Sequence, residues 1–105
     1  MFTLALTMRL KPGCLEKYRA AHRQLWPEIA RSMSDNQVSM AIYHEAGRLF
    51  IFASAPSTAH WERSRQVPVL ERWDAAMTEF LEAAEPGKIA FQQPQKVFGF
   101  GDYAE

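Results

Sequence analysis

The chain has 105 residues, is 48 % hydrophobic, and balances 12 basic against 12 acidic side chains. That length suits a single domain, 1–105, with a modest core, and the apolar content excludes a disordered tail. Zero net charge gives no electrostatic footprint for nucleic acid or an anionic membrane, and it removes one barrier to self-association.

Phe2, Leu4, Leu6, Met8 and Leu10 alternate with Thr3, Ala5, Thr7 and Arg9. This period of two predicts a strand. The segment lacks a leading basic stretch and a trailing small-residue cleavage site, so no signal peptide is expected. No apolar run approaches the roughly 18–20 residues that cross a bilayer. Lys11-Pro12-Gly13 reads as a turn. Cys14 is the single cysteine and has no internal disulfide partner. No Cys/His set has zinc-site spacing, and the cysteine usage fits a reducing cytoplasm.

A helix is expected from about Leu15 to Met33. Leu15, Tyr18, His22, Leu25, Trp26, Ile29 and Met33 fall within an arc of about 100° at helical pitch. Pro27 interrupts the pattern and should kink or rejoin the helix. Val38 to Pro56 reads as a hairpin that turns at Glu45-Ala46-Gly47-Arg48, with Gly47 free to take a positive φ. Met40 and Ile42 share one face; Ser39, Ala41 and Tyr43 share the other. Ser57 is the expected N-cap of a short helix through Trp61. Pro68 starts or breaks a further helix, whose stripe is Leu70, Trp73, Met77, Phe80, Leu81 and Ala84, ended by "EPGK" at 85–88. Asp74 lies just beyond the edge of that stripe. A last strand is expected over Lys96–Phe100.

The order β-α-β-β-α-β predicts a ferredoxin-like α+β fold: an antiparallel four-stranded sheet with helices on one face. The hairpin is apolar on both faces, so the uncovered face needs a partner. The simplest is a second copy, sheet to sheet, about a two-fold axis.

His22 sits near the centre of an apolar stripe, where an unpaired imidazole costs about 1–3 kcal/mol. Two readings follow. It is a core histidine bonded to a backbone carbonyl, or a general acid/base. Tyr18 and Trp26, one turn on either side, are core packing or a hydroxyl and a flat wall for a ligand. Tyr43, Trp61 and Trp73 are polar-tipped aromatics of the kind that binds sugars, with core filling as the alternative. Asp74 and Arg9 either reach a cleft or stay at the surface. No phosphate loop, metal triad or Ser-His-Asp pattern is present.

Tyr18, His22, Trp26, Pro27 and Glu28 form a Y-x3-H-x3-WPE pattern. Together with "AIYHE" at 41–45, "RW" at 72–73 and "VF" at 97–98, this pattern resembles the L-rhamnose mutarotase family over nearly the whole chain. The resemblance implies a cofactor-free isomerase, without a metal, that interconverts the α and β anomers of a 6-deoxyhexose pyranose. It also implies a homodimer that closes into a dimeric α/β barrel. It makes His22 the acid/base and places Tyr18, Trp26, Tyr43, Trp73 and Asp74 at the sugar. Two positions depart from the pattern: Asp74 follows Trp73 where a second tryptophan is usual, and Met40 precedes "AIY" where a tyrosine is usual. Both bear on which sugar fits, with L-rhamnose first and L-fucose as the alternative. A cofactor-free monooxygenase and a non-catalytic sugar-binding module are the other expectations to weigh.

Overall fold

In the computed structural model, which describes residues 1–104, three strands form one antiparallel sheet in the order β1-β3-β2. They are β1 (Phe2–Arg9), β2 (Ser39–Glu45) and β3 (Arg48–Ala55). Met8 pairs with Leu49, and Ile51 lies between Leu6 and Ile42. One face therefore carries Leu6, Met8, Met40, Ile42, Leu49 and Ile51. The hairpin between β2 and β3 turns on two residues, Ala46 and Gly47, with φ of 52° and 79°. Two positive φ values define the tight turn whose twist matches the strands. Glycine takes that conformation freely, and Ala46 takes it at a cost.

Four α-helices are formed among the described residues: α1 (Leu15–Arg23), α2 (Pro27–Asp35), α3 (Thr58–Ser64) and α4 (Val69–Met77). The single helix expected over 15–33 is two helices. Pro27 has no N–H to donate, and its ring clashes with the carbonyl four residues back. Trp26 is accordingly extended, with ψ of 133°, and Pro27 opens α2 as its first residue, the position a helix tolerates best. The apolar stripe runs on across the break because both short helices turn the same side to the sheet. Ser57 caps α3 as expected, accepting from the His60 N–H, and α3 runs on to Ser64.

The buried cluster joins Met8, Leu10, Leu49 and Ile51 of the sheet side to Tyr18, Ile29, Val69, Trp73 and Met77 of the helices, with Leu81 fully buried. The last stripe is corrected at Leu81. Helix α4 ends at Met77, because the backbone of 80–82 turns to pair with 9–11: Lys11 donates to the Phe80 carbonyl and Glu82 to the Arg9 carbonyl. "EPGK" is the turn of a small hairpin, β4 (Ala83–Glu85) with β5 (Lys88–Ile89), and does not stop a helix.

The expected fourth strand of the sheet is reduced to a single bridge. Gln92 exchanges two backbone hydrogen bonds with Thr7, of 2.7 and 2.9 Å, at the free edge of β1. The strand expected over Lys96–Phe100 does not form there. That stretch has no regular structure and no strand partner among the described residues, with Val97 94 %, Phe98 80 % and Phe100 81 % exposed. Its apolar residues are left largely unpacked among the described residues.

Candidate active site

Between the inner sheet face and the helices lies a cavity of about 470 Å³. That falls within the roughly 300–1,000 Å³ of small-molecule sites. Met8, Met40, Ile42 and Ile51 of the sheet form its floor, and Ile89 on β5 and Phe91 just after it close it. Its polar groups come from Tyr18 and His22 on α1, Arg65 just after α3, and Asp74 on α4, with Arg19 and His44 also contributing.

His22 has its Nδ1 3.0 Å from the Tyr18 carbonyl oxygen. A carbonyl only accepts, so Nδ1 carries the hydrogen. The neutral ring then keeps a lone pair on Nε2. Burial pushes the pKa of His22 down, partly offset by that carbonyl bond. The ring is therefore a neutral base near pH 7. Its orientation is fixed by aromatic neighbours as well: Tyr18 lies tilted at 4.2 Å and Trp73 edge-on at 5.2 Å between ring centroids. Trp26 in turn meets Trp73 edge-on at 5.3 Å. The backbone-carbonyl bond expected of a core histidine is present, and among the described residues Nε2 makes no hydrogen bond.

Tyr18 is buried, and its phenol pKa is raised, first by burial and then by the negative charge of Asp74. It therefore keeps its proton near neutral pH. Burial also raises the carboxyl pKa of Asp74, opposed by the positive charges of Arg65 and Lys88. The guanidinium of Arg65 is pushed down by burial and held up by Asp74.

The structure brings His22, Tyr18, Trp73 and Asp74 together at the cavity, with Met40 on its floor. Trp26 stands behind Trp73 as a buttress. Tyr43 is not brought there. It is 61 % exposed and meets Phe52 edge-on at 5.8 Å. Strand alternation requires this, since Ile42 and His44 point into the cavity and the residue between them points away. Trp61 also lies outside the cavity lining, stacked on Phe2 at 5.5 Å. Arg9 lines a separate groove of about 440 Å³ with Lys11 and Cys14. Arg65 was not expected. Its one sequence signal is Trp61 four residues earlier, a helical spacing that places the guanidinium 4.7 Å from the indole centroid. Among the described residues, no three His, Cys, Asp or Glu side chains cluster to hold a metal ion. No helix among them is long and apolar enough to cross a membrane.

Fold and cavity together define a small α+β protein with a histidine and a tyrosine on the wall of a ligand-sized cavity. The family profile described as L-rhamnose mutarotase matches residues 3–100, and the chain belongs to that family. It is 28 % identical over 101 residues to the L-rhamnose mutarotase of Escherichia coli O8 (strain IAI1), covering 93 % of this chain and 97 % of that one. The crystal structure of an L-rhamnose mutarotase from Formosa agariphila superposes with a TM-score of 0.79 at 23 % identity, covering 96 % of this chain and 100 % of that one. An antibiotic biosynthesis monooxygenase superposes with a TM-score of 0.61 at 10 % identity, covering 92 % of this chain and 99 % of that one. The last two likenesses are of fold alone.

Proposed function

We propose that this chain is an isomerase that interconverts the α and β anomers of L-rhamnose by opening and re-closing the pyranose ring. The observation that carries the reading is a neutral His22 with a free Nε2, in a sugar-sized cavity, on a chain of the mutarotase family. Nε2 accepts the proton of the anomeric hydroxyl as the bond between C1 and the ring oxygen breaks. That bonding pair goes to the ring oxygen, which takes up a proton from solvent water. The aldehyde rotates about C1–C2, and the ring hydroxyl adds to its other face with the transfers reversed. C1 stays at the aldehyde oxidation level throughout, so the step needs no redox partner, and positioned acid/base catalysis supplies about 10²–10⁴-fold.

Tyr18 donates a hydrogen bond to the sugar. Its raised pKa makes it a poor acid and a dependable donor. Trp73, buttressed by Trp26, offers an apolar wall to the C–H face of the ring. Asp74 accepts from sugar hydroxyls.

The working form is a homodimer acting in the cytoplasm. Phe52 and Tyr43 are exposed on the outer sheet face, and the apolar side chains of 97–100 lie unpacked. A second copy laid sheet to sheet covers both and completes a four-stranded, barrel-like assembly. Sedimentation should give twice the chain mass and Phe52→Lys the single mass; a monomeric wild type refutes the dimer.

Saturation-transfer NMR across a panel led by L-rhamnose and L-fucose tests the activity. Exchange between the L-rhamnose C1 signals should exceed the spontaneous rate. A panel in which no 6-deoxyhexose is accelerated overturns the proposal.

A further inference from the structure

Arg65 and Asp74 form a charge pair on the cavity wall that the proton transfers leave unused. Arg65 is held from behind by Trp61, its guanidinium carbon 4.7 Å from the ring centroid. Its Nε is buried and has no hydrogen-bond partner among the described residues. Asp74 is close enough for each group to shift the other's ionisation. Yet the pair makes no direct ion contact; among the described residues the one such contact within 4.0 Å is Glu16–Arg19.

A buried donor without a partner and a carboxylate held short of it leave an unmade pair of hydrogen bonds. A group that donates and accepts at once completes both, and adjacent hydroxyls do so without adding charge. An anion in the same place meets Asp74, and a cation meets Arg65 and, on β5, Lys88. The chemistry that fits is a neutral polyol.

We propose that Arg65 and Asp74 grip adjacent ring hydroxyls of the sugar, other than the anomeric one, and so set which 6-deoxyhexose is accepted. The guanidinium donates to one hydroxyl and the carboxylate accepts from it or its neighbour. The anomeric hydroxyl belongs to His22, so the gripped set lies among positions 2, 3 and 4. The inference rests on the reading that the cavity takes a sugar.

The test is a titration of wild type, Arg65→Met and Asp74→Asn with L-rhamnose, followed by the indole N–H shifts of Trp61 and Trp73, alongside anomer exchange. Charge-assisted hydrogen bonds predict that each substitution weakens binding by at least about tenfold. One analogue lacking a 2-, 3- or 4-hydroxyl should bind wild type about tenfold more weakly, yet lose nothing further in Asp74→Asn, a coupling that a merely structural role does not produce. Unchanged binding in both variants overturns the grip while leaving mutarotation standing. Variant-sensitive binding without exchange in wild type retains the grip and refutes the mutarotase reading, and no binding to wild type refutes both. Should a variant fail to fold, the analogue series on wild type decides, and three deoxy sugars binding as tightly as L-rhamnose overturn the grip.

Discussion

Tyr18→Phe separates packing from chemistry at the cavity. Tyr18 is 6 % exposed, and its ring packs at 4.2 Å on that of His22. Phenylalanine keeps that ring, and it keeps the backbone carbonyl that fixes the imidazole. Only the hydroxyl is lost. Among the described residues that hydroxyl makes no hydrogen bond to protein, so its removal leaves no partner stranded. Stability should change by less than about 1 kcal/mol, a melting shift below about 8 °C for a domain of this size. Function should change more distinctly. A neutral donor to substrate is worth about 0.5–1.5 kcal/mol, or roughly a 2- to 12-fold loss in kcat/KM. Saturation-transfer NMR against L-rhamnose concentration gives kcat/KM, and circular dichroism gives the melt. Wild-type kcat/KM would make Tyr18 mere core. A loss beyond a hundredfold would make the phenol a proton carrier, contradicting the donor role argued from its raised pKa.

Because burial lowers the pKa of His22 below its ordinary 6.5, the neutral base persists at and above neutral pH. Exchange should be level above about pH 6.5 and fall as pH drops through the lowered value; an acid flank centred above 6.5 contradicts the assignment. The same shift acts on stability. Between about 6.5 and the lowered value the unfolded chain holds more protons at this site, so stability falls with falling pH, and His22→Gln should flatten that slope in melts across the window. At the β2–β3 turn, Ala46→Asn should raise stability by about 0.5–1 kcal/mol, because Asn-Gly suits two successive positive φ values; a lower melting temperature refutes the turn geometry.

The strand at 2–10, the hairpin and the helix stripes were legible because each rests on local periodicity. The break at Pro27 was not: both helices present the same face, so the stripe continues across it. The end of α4 was hidden for a different reason. Leu81 is as apolar as a helix stripe requires, but its backbone pairs with β1, a contact made across the fold. The strand expected over 96–100 has the right alternation and lacks a surface within the chain to lie on. Within the site, His22 was placed inward by spacing and at the cavity by the structure. Tyr43 entered as a polar-tipped aromatic and again through resemblance, although its parity along β2 already opposed that of Met40. Arg65 sits in a short connection between helices, where sequence reads as solvated surface. Only the fold shows that Trp61 props it against the cavity.

The most direct test is anomer exchange of L-rhamnose by saturation-transfer NMR, measured side by side on wild type and His22→Gln. In the variant the loss of one hydrogen bond and of ring packing should cost about 1–3 kcal/mol, which a domain of ordinary stability survives. Exchange should exceed the spontaneous rate with wild type and fall about 10²–10⁴-fold with the folded variant. Equal exchange by both proteins would contradict the account, because the free Nε2 of His22 would then carry no proton.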